Sequence, residues 1–479
     1  MSEKKQIRED VENEKGLDAQ AVAVDERQAV LIRKAARYKY PEDEVLAKQL
    51  EWFMDQKLGL MIHWGLFNEV GIKESWPLAD ANEWTRWQFK PGTPPSEIKK
   101  MYSQIHKGFM PLRFDPDEWA DAAYGAGFRY LCFTTKHHDG FCMWDTKTTD
   151  YKVTGSEVPF RDHKYADITR HLFDAFRKKG MGISAYYSRA DFSCPYYWEE
   201  GYAEKDGAQR VPSYDPDEKP EKWRKFQEYV YAQLKELVTE YGRIDCLWYD
   251  GGCDGEKLGL PEMTVKLREI QPHMLGVVRG SRSTFEDFIT PELIVPDNYL
   301  DAPWEACTVM GKPLTEYGCD YVSFGYTYDQ DYMSAKEVAH LLLDVVAKGG
   351  NLALNLAPQP DGRLPGRALR NLSELAEWMK VFADAIYATR AAAPYRAGQY
   401  AYTRSKDGSV LNVFYLYEDG EKRARSYSFE VVGEAKRAVD MRSGAELGLA
   451  QNGDTVTVTL PDGLVGTDGD IADCIRIYL

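Results

Sequence analysis

Short apolar runs alternate with amphipathic stretches over most of the chain. The runs "LGLMIHW" (58–64), "FRYLCFTT" (128–135), "MGISAYY" (181–187), "IDCLWYD" (244–250), "MLGVV" (274–278), "DYVSFGY" (320–326) and "NLALNLA" (351–357) have the length of buried strands. Between them, stretches such as "DPDEWADAAYGAG", "YADITRHLFDAFRKKG" and "PEKWRKFQEYVYAQLKELVTEYG" repeat apolar positions at helical spacing. Asp115 and Asp167 are placed to cap helix starts, and Gly180 and Gly242 to end them. Strand–helix alternation of this extent predicts an α/β architecture with a parallel sheet, best accommodated as a (β/α)8-like TIM barrel. Seven strands are counted, and "ELIVP" is a candidate for the eighth. From about residue 395 the period changes: "YAYTRSKDGSVLNVFYLYED", "ARSYSFEVV" and "GDTVTVTLPDG" are period-two or β-branched runs bounded by DG and GD turns. That pattern predicts a C-terminal antiparallel β-sandwich. The expected division is a polar N-terminal extension over 1–30, a catalytic barrel over 31–392 and the sandwich over 393–479.

A chain of 479 residues is too long for one ordinary core, in keeping with a barrel plus an appended domain. Its net charge of -16, from 76 acidic against 60 basic residues, would repel a polyphosphate backbone, so nucleic acid is not an expected partner. No run of 18 apolar residues occurs, and no membrane span is expected. The charged opening "MSEKKQIREDVENEKGLDAQ" lacks an apolar core of the secretory type, which favours a cytoplasmic protein. Eight cysteines without a C-x-x-C spacing fit reduced core thiols in that compartment. Twelve Trp and 31 Tyr supply the flat amphipathic walls that sugar pockets use, although large cores use them too.

Reactive groups of a barrel enzyme sit at the C-terminal ends of its strands. Here His63 and Trp64 end the first strand, Lys136 to Asp139 follow the second, Tyr186 and Tyr187 end the third, and Asp250 ends the fourth. Alternation puts Cys246, Trp248 and Asp250 on one face, so an inward Trp248 brings Asp250 to the mouth with it. The bland alternative, that "DGG" is only a turn, stays open at this point. A metal site is not expected: adjacent His137 and His138 would diverge on a regular strand, and no H-E-x-x-H occurs. If the chain curls at Gly140, both histidines instead reach one pocket and donate to hydroxyls. A serine nucleophile and a phosphate loop are unsupported, since neither G-x-S-x-G nor a phosphate-binding glycine motif is present. Carboxylates, aromatics and histidines around a barrel mouth fit glycoside hydrolysis.

The blocks "KLGLMIHWGLF" (57–67), "TTKHHDGFCMWDTKTTDY" (134–151), "DCLWYDGG" (245–252), "PWEACTVM" (303–310) and "KGGNLALNLAPQPDGRLP" (348–365), in that order, resemble the retaining α-L-fucosidases of glycoside hydrolase family 29. The resemblance implies a barrel followed by a β-sandwich, a fucosylated glycan as substrate and no metal or organic cofactor. It also implies that Asp250 is the nucleophile, and that His63, Trp64, His137 and His138 hold fucose hydroxyls or line the pocket. Trp84 and Tyr187 are further expected pocket residues, with Trp248 beside Asp250. Glu292, in "TPE", is the favoured acid/base, and Glu305, in "PWE", is its rival and otherwise a structural or pocket carboxylate. Arg279 or Arg282 is a candidate to stabilise charge nearby. "GLFNEVG" and the tryptophan-rich segment after it depart from the family pattern, which bears on linkage preference. Two other readings remain: a retaining enzyme for a related sugar such as an α-L-galactoside, and a sugar-binding relative that has lost catalysis. A homo-oligomer is compatible with all three.

Overall fold

In the computed structural model, which describes residues 24–202, 207–279, 286–313 and 322–479, seven parallel strands form one curled sheet. They are β1 Leu58–Ile62, β2 Tyr130–Lys136, β3 Gly182–Ser188, β4 Cys246–Asp250, β5 Leu275–Val278, β6 Glu305–Val309 and β7 Asn351–Asn355, in the spatial order β5-β4-β3-β2-β1-β7-β6. Nearly every strand residue is buried, as expected when helices cover one face of a sheet and curvature closes the other. The helices bury apolar stripes: Leu172, Phe173 and Phe176 on Ile168–Lys178, and Phe226, Val230, Leu234 and Leu237 on Pro220–Glu240. Asp115 and Asp167 accept from the first-turn amides of their helices, and Gly180 and Gly242 follow helix ends at φ +75°.

Two expectations for the sheet need correction. The run "DYVSFGY" forms no strand over Val322–Tyr326, while its first two residues lie outside the described ones. The Ser323 hydroxyl and the Gly325 N–H both donate to the Glu74 carboxylate, each at 2.7 Å, so these donors serve a side chain rather than a ladder. The strand in that part of the sheet is instead β6, within the "PWEACTV" block. Nor does "ELIVP" make a regular eighth strand. The gap between β5 and β6 is crossed by irregular chain: Asp287 N donates to Gly276 O at 3.0 Å, and Ile289 N, Cys307 N and Leu293 N exchange bonds with the β6 side at 2.8–2.9 Å. Pro291 has no N–H to give and Leu293 sits at φ +53°, so a continuous ladder cannot form there. The helix Val24–Arg37, which begins within the stretch expected to be a polar extension, packs on this seam. Gln28 donates to Val295 O at 2.9 Å and Lys34 pairs with Glu286 at 3.1 Å. Residues 1–23 of that stretch lie outside the described residues.

After the barrel, β8 Thr389–Ala397, β9 Tyr400–Ser405, β10 Val410–Leu416, β11 Ser426–Glu430, β12 Arg437–Asp440, β13 Gly448–Asn452, β14 Thr455–Thr459 and β15 Ala472–Tyr478 form two antiparallel sheets, ordered β12-β15-β10-β9-β8 and β11-β14-β13. Tyr402, Val413, Phe429, Val456 and Ile477 fill the space between them. The sandwich is fastened to the barrel helices by Trp378 Nε1 on Ala472 O at 2.9 Å and Arg390 on Asp55 at 2.8 Å. Seven cysteines are buried and free, and Cys319 lies outside the described residues. Among the described residues no helix is long and apolar enough to cross a membrane.

At the end of β2, Lys136 is fully buried between the sheet and the Pro220–Glu240 helix. It donates to Asp191 at 3.0 Å, Tyr187 at 2.9 Å and Gln233 at 3.0 Å. Removing the cation leaves a buried carboxylate unpaired, a loss of about 3–5 kcal/mol. Lys136→Ala should therefore lower unfolding free energy in urea by that amount, while Lys422→Ala, at the exposed Lys422–Asp468 pair, should cost less than about 1 kcal/mol. Equal small losses in both variants would contradict the placement of Lys136.

Candidate active site

Asp250 is the last residue of β4, and Ser188 is its partner on β3. One step down, Tyr186 of β3 pairs with Trp248 of β4, and their rings stack at 5.1 Å and 17°. Both side chains face inward, and Tyr186 reaches up to donate its hydroxyl to Asp250 Oδ2 at 2.5 Å. His138 Nε2 lies 3.5 Å from the same oxygen, and Arg279 Nη1 lies 3.5 Å from Oδ1. Burial alone would raise the Asp250 pKa. The Arg279 guanidinium, His138 and the Tyr186 hydroxyl outweigh it and hold the carboxyl well below the ordinary carboxylate range. Arg189, fully buried, fixes the strand ends around this group by donating to Asp250 O at 3.2 Å, Cys253 O at 2.7 Å and Arg279 O at 2.8 Å.

His137 and His138 stand beyond the end of β2, so the alternation of a strand no longer separates them, and their rings lie 4.8 Å apart. The curl depends on Gly140, at φ +81°, where a Cβ would fall 2.1 Å from Ser193 Oγ and 2.2 Å from Asp191 Oδ1. His137 Nδ1 lies 2.5 Å from Ser75 Oγ, and Trp76 covers His138 at 4.7 Å. His63, just past β1, is oriented by Asn355 at the end of β7. The Asn355 Oδ1 accepts from both the backbone N–H (3.1 Å) and Nδ1 (2.8 Å) of His63, while its amide nitrogen donates to Phe324 O. Burial pushes His63 down to about 4, so near neutral pH it is uncharged with the proton on Nδ1, leaving Nε2 as an acceptor. Burial lowers His137 and His138 as well.

These groups border a pocket open to solvent, with about 340 Å³ of space including its mouth, lined by Met61, His63, Glu74, Trp76, His137, Tyr186, Trp248, Asp250, Arg279, Glu292, Cys307 and Phe324. Glu74 is buried, and burial raises its pKa against the opposing pull of Lys73 and the donors Gly325 and Ser323. Glu292 rests on the irregular seam between β5 and β6, where its carboxylate meets the second terminal nitrogen of Arg279. Asp250 and Glu292 therefore flank a single guanidinium. Ligand atoms of His137, His138 and Asp250 all lie within 4.8 Å of one another, close enough to hold a transition ion. This overturns the geometric argument from divergent histidines, although Arg279 already sets a positive charge against the same carboxylate.

Of the residues singled out from sequence, the pocket gathers His63, His137, Trp248, Asp250, Arg279 and Glu292, with His138 against Asp250. Others are elsewhere. Trp64 packs among Phe109, Phe114 and Trp119, and Tyr187 turns outward to Lys136 and Gln233. Glu305 begins β6 at the opposite end of the strands, where its oxygens accept from Tyr130 at 2.6 Å and Trp248 at 3.1 Å. Arg282 and the Trp84 side chain lie outside what the structure describes. Sequence reasoning missed Glu74 and Phe324, while Trp76 belongs to the tryptophan-rich segment that it had linked to the pocket. It also chose Tyr187 over Tyr186, although carrying the inward face of β4 across one ladder step selects Tyr186.

The sequence profile described as Alpha-L-fucosidase matches residues 27–384. A putative alpha-L-fucosidase of Caenorhabditis elegans is 25% identical over 408 residues, covering 79% of this chain and 74% of that protein. The human plasma alpha-L-fucosidase is 26% identical over 379 residues, covering 74% and 73%. Among solved structures, alpha-L-fucosidase isoenzyme 1 from Paenibacillus thiaminolyticus superposes with a TM-score of 0.74 at 28% identity, over 91% of this chain and 99% of that one. A Thermotoga maritima alpha-fucosidase in complex with fucose gives 0.69 at 26% identity, over 92% and 100%.

The depressed His63 pKa has a sign that can be measured. Between the ordinary histidine value of 6.5 and about 4, the unfolded chain takes up a proton that the folded one refuses, so this contribution to stability falls as the pH falls. The slope reaches about 1.4 kcal/mol per pH unit. A His63→Gln variant should lose less Tm than its parent between pH 7 and pH 4.5, and parallel losses would contradict the assignment.

Proposed function

Because this chain belongs to the α-L-fucosidase family, glycoside hydrolase family 29, and is thus a glycoside hydrolase, we propose that it removes terminal α-L-fucose from fucosylated glycans with retention of configuration. Asp250 attacks the anomeric carbon through Oδ1, which among the described residues accepts no hydrogen bond and faces Arg279 at 3.5 Å, while Tyr186 and His138 hold Oδ2. As the glycosidic C–O bond breaks, Glu292 gives its proton to the departing oxygen, and the sugar stays esterified to Asp250. Glu292 then takes a proton from water, which opens the ester and frees fucose and the Asp250 carboxylate. His63, His137 and Glu74 bond the sugar hydroxyls, and Trp76 and Phe324 cover its apolar faces.

The observation that carries this reading is that Asp250 and Glu292 reach the same guanidinium from opposite terminal nitrogens. Both carboxyls thus line one pocket beside a common guanidinium, as a retaining pair requires when one attacks the anomeric carbon and the other serves the departing oxygen. Glu305 is disfavoured as the acid because it lies below the pocket with both oxygens engaged.

Asp250→Ala should lower kcat on an aryl α-L-fucoside by at least about 10³-fold, with azide restoring part of it as a fucosyl azide. Glu292→Ala should cost about 10²–10⁴-fold on a substrate with a poor leaving group and far less on one with a good leaving group. Full activity in Asp250→Ala, or the same loss on both substrates in Glu292→Ala, would overturn these roles.

A further inference from the structure

Glu305 is a buried carboxylate that the mechanism above does not use. It is 1% exposed, and the titratable groups that face it, Tyr130 and Cys132 of β2, Cys246 of β4 and Cys307 of β6, supply no positive charge. Burial raises it to about 7, so keeping a carboxyl there is costly. Its two oxygens are spent on two donors: Oε1 accepts the Trp248 indole N–H at 3.1 Å and Oε2 accepts the Tyr130 hydroxyl at 2.6 Å. Without the first bond the Trp248 N–H would be buried with no acceptor, and the ring would be free to tilt.

Trp248 cannot tilt alone. Its ring lies flat on Tyr186, whose hydroxyl is the 2.5 Å donor to Asp250 Oδ2 and is itself contacted by Ser188 Oγ at 3.1 Å. We propose that Glu305 is a positioning residue that sets the aim of the Asp250 carboxylate through Trp248 and Tyr186, from the opposite end of the strands. The lever is short and its rings are stacked, so a small displacement of the indole moves the hydroxyl that fixes the attacking group, where misplacement by 1 Å can cost about 10²-fold.

The inference rests on Asp250 as nucleophile, and the test separates the two. The parent is first assayed on an aryl α-L-fucoside, and inactivity there counts against the proposed function before any Glu305 variant is compared. Rates are then expressed per active site, titrated with a covalent fucosyl inactivator, so that misfolded protein does not count. Glu305→Leu removes both acceptors and should lower kcat about tenfold or more, with KM changed less than about threefold. Glu305→Gln should recover to within about threefold of the parent, because its oxygen still accepts from the indole while its amide donates to Tyr130. Trp248→Phe removes the N–H from the other side, and the Glu305→Leu/Trp248→Phe double variant should be no slower than the slower single one. Parent kcat in Glu305→Leu, a Gln variant as slow as the Leu variant, or multiplied losses in the double variant would each overturn the proposal. If Glu305→Leu does not fold, Trp248→Phe decides: a parent-like kcat there overturns it.

Discussion

The site depends on keeping one carboxylate ionised where water is nearly excluded. Burial works against the charge of Asp250, and three groups from three different elements restore it: Arg279 after β5, His138 after β2 and Tyr186 on β3. Each holds its place only because something behind it does. Gly140 lets the chain fold back so that His138 faces the carboxylate, and Trp248 backs the Tyr186 ring. Arg189 ties the ends of β4 and β5 together through three carbonyls. A parallel barrel suits this demand, since it delivers several strand ends to one mouth on rigid supports.

The least regular part of the barrel carries the second carboxylate. Between β5 and β6 the chain crosses as a hydrogen-bonded seam rather than a strand, with Pro291 unable to donate and Leu293 at positive φ. This aims Glu292 at Arg279 and the pocket, whereas Glu305, on the regular strand beside it, points into the floor. Two glutamates thirteen positions apart thus point different ways, Glu292 from the seam beside Cys307 toward the pocket and Glu305 into the floor, and the irregular backbone determines which one meets the sugar site.

Much of this was legible in the sequence for physical reasons. Strands buried on both faces leave continuous apolar runs, and polar residues at or directly after their ends, such as Asp250, His63 and His137, mark the functional end. The misreadings came where a side chain replaced the backbone as hydrogen-bond partner or where the backbone left its regular period. "DYVSFGY" reads as a strand until Glu74, some 250 residues earlier, takes the Ser323 and Gly325 donors. The histidine pair reads as divergent until the strand is seen to end one residue before it. Glu74 and Trp76 come from a loop whose path no local periodicity encodes, so only the folded chain brings them to the pocket. Trp64 shows the reverse case, a strand-end aromatic that belongs to the core.

The central claim is that Asp250 bonds to the sugar. The direct measurement is peptide mapping by mass spectrometry after reaction with 2-deoxy-2-fluoro-α-L-fucosyl fluoride, which slows the hydrolysis of a glycosyl ester. The account predicts one fluorofucosyl group per chain, on the peptide that contains Asp250. A label on Glu292, Glu305 or any other residue, or turnover of the reagent with inversion and no adduct, would contradict it.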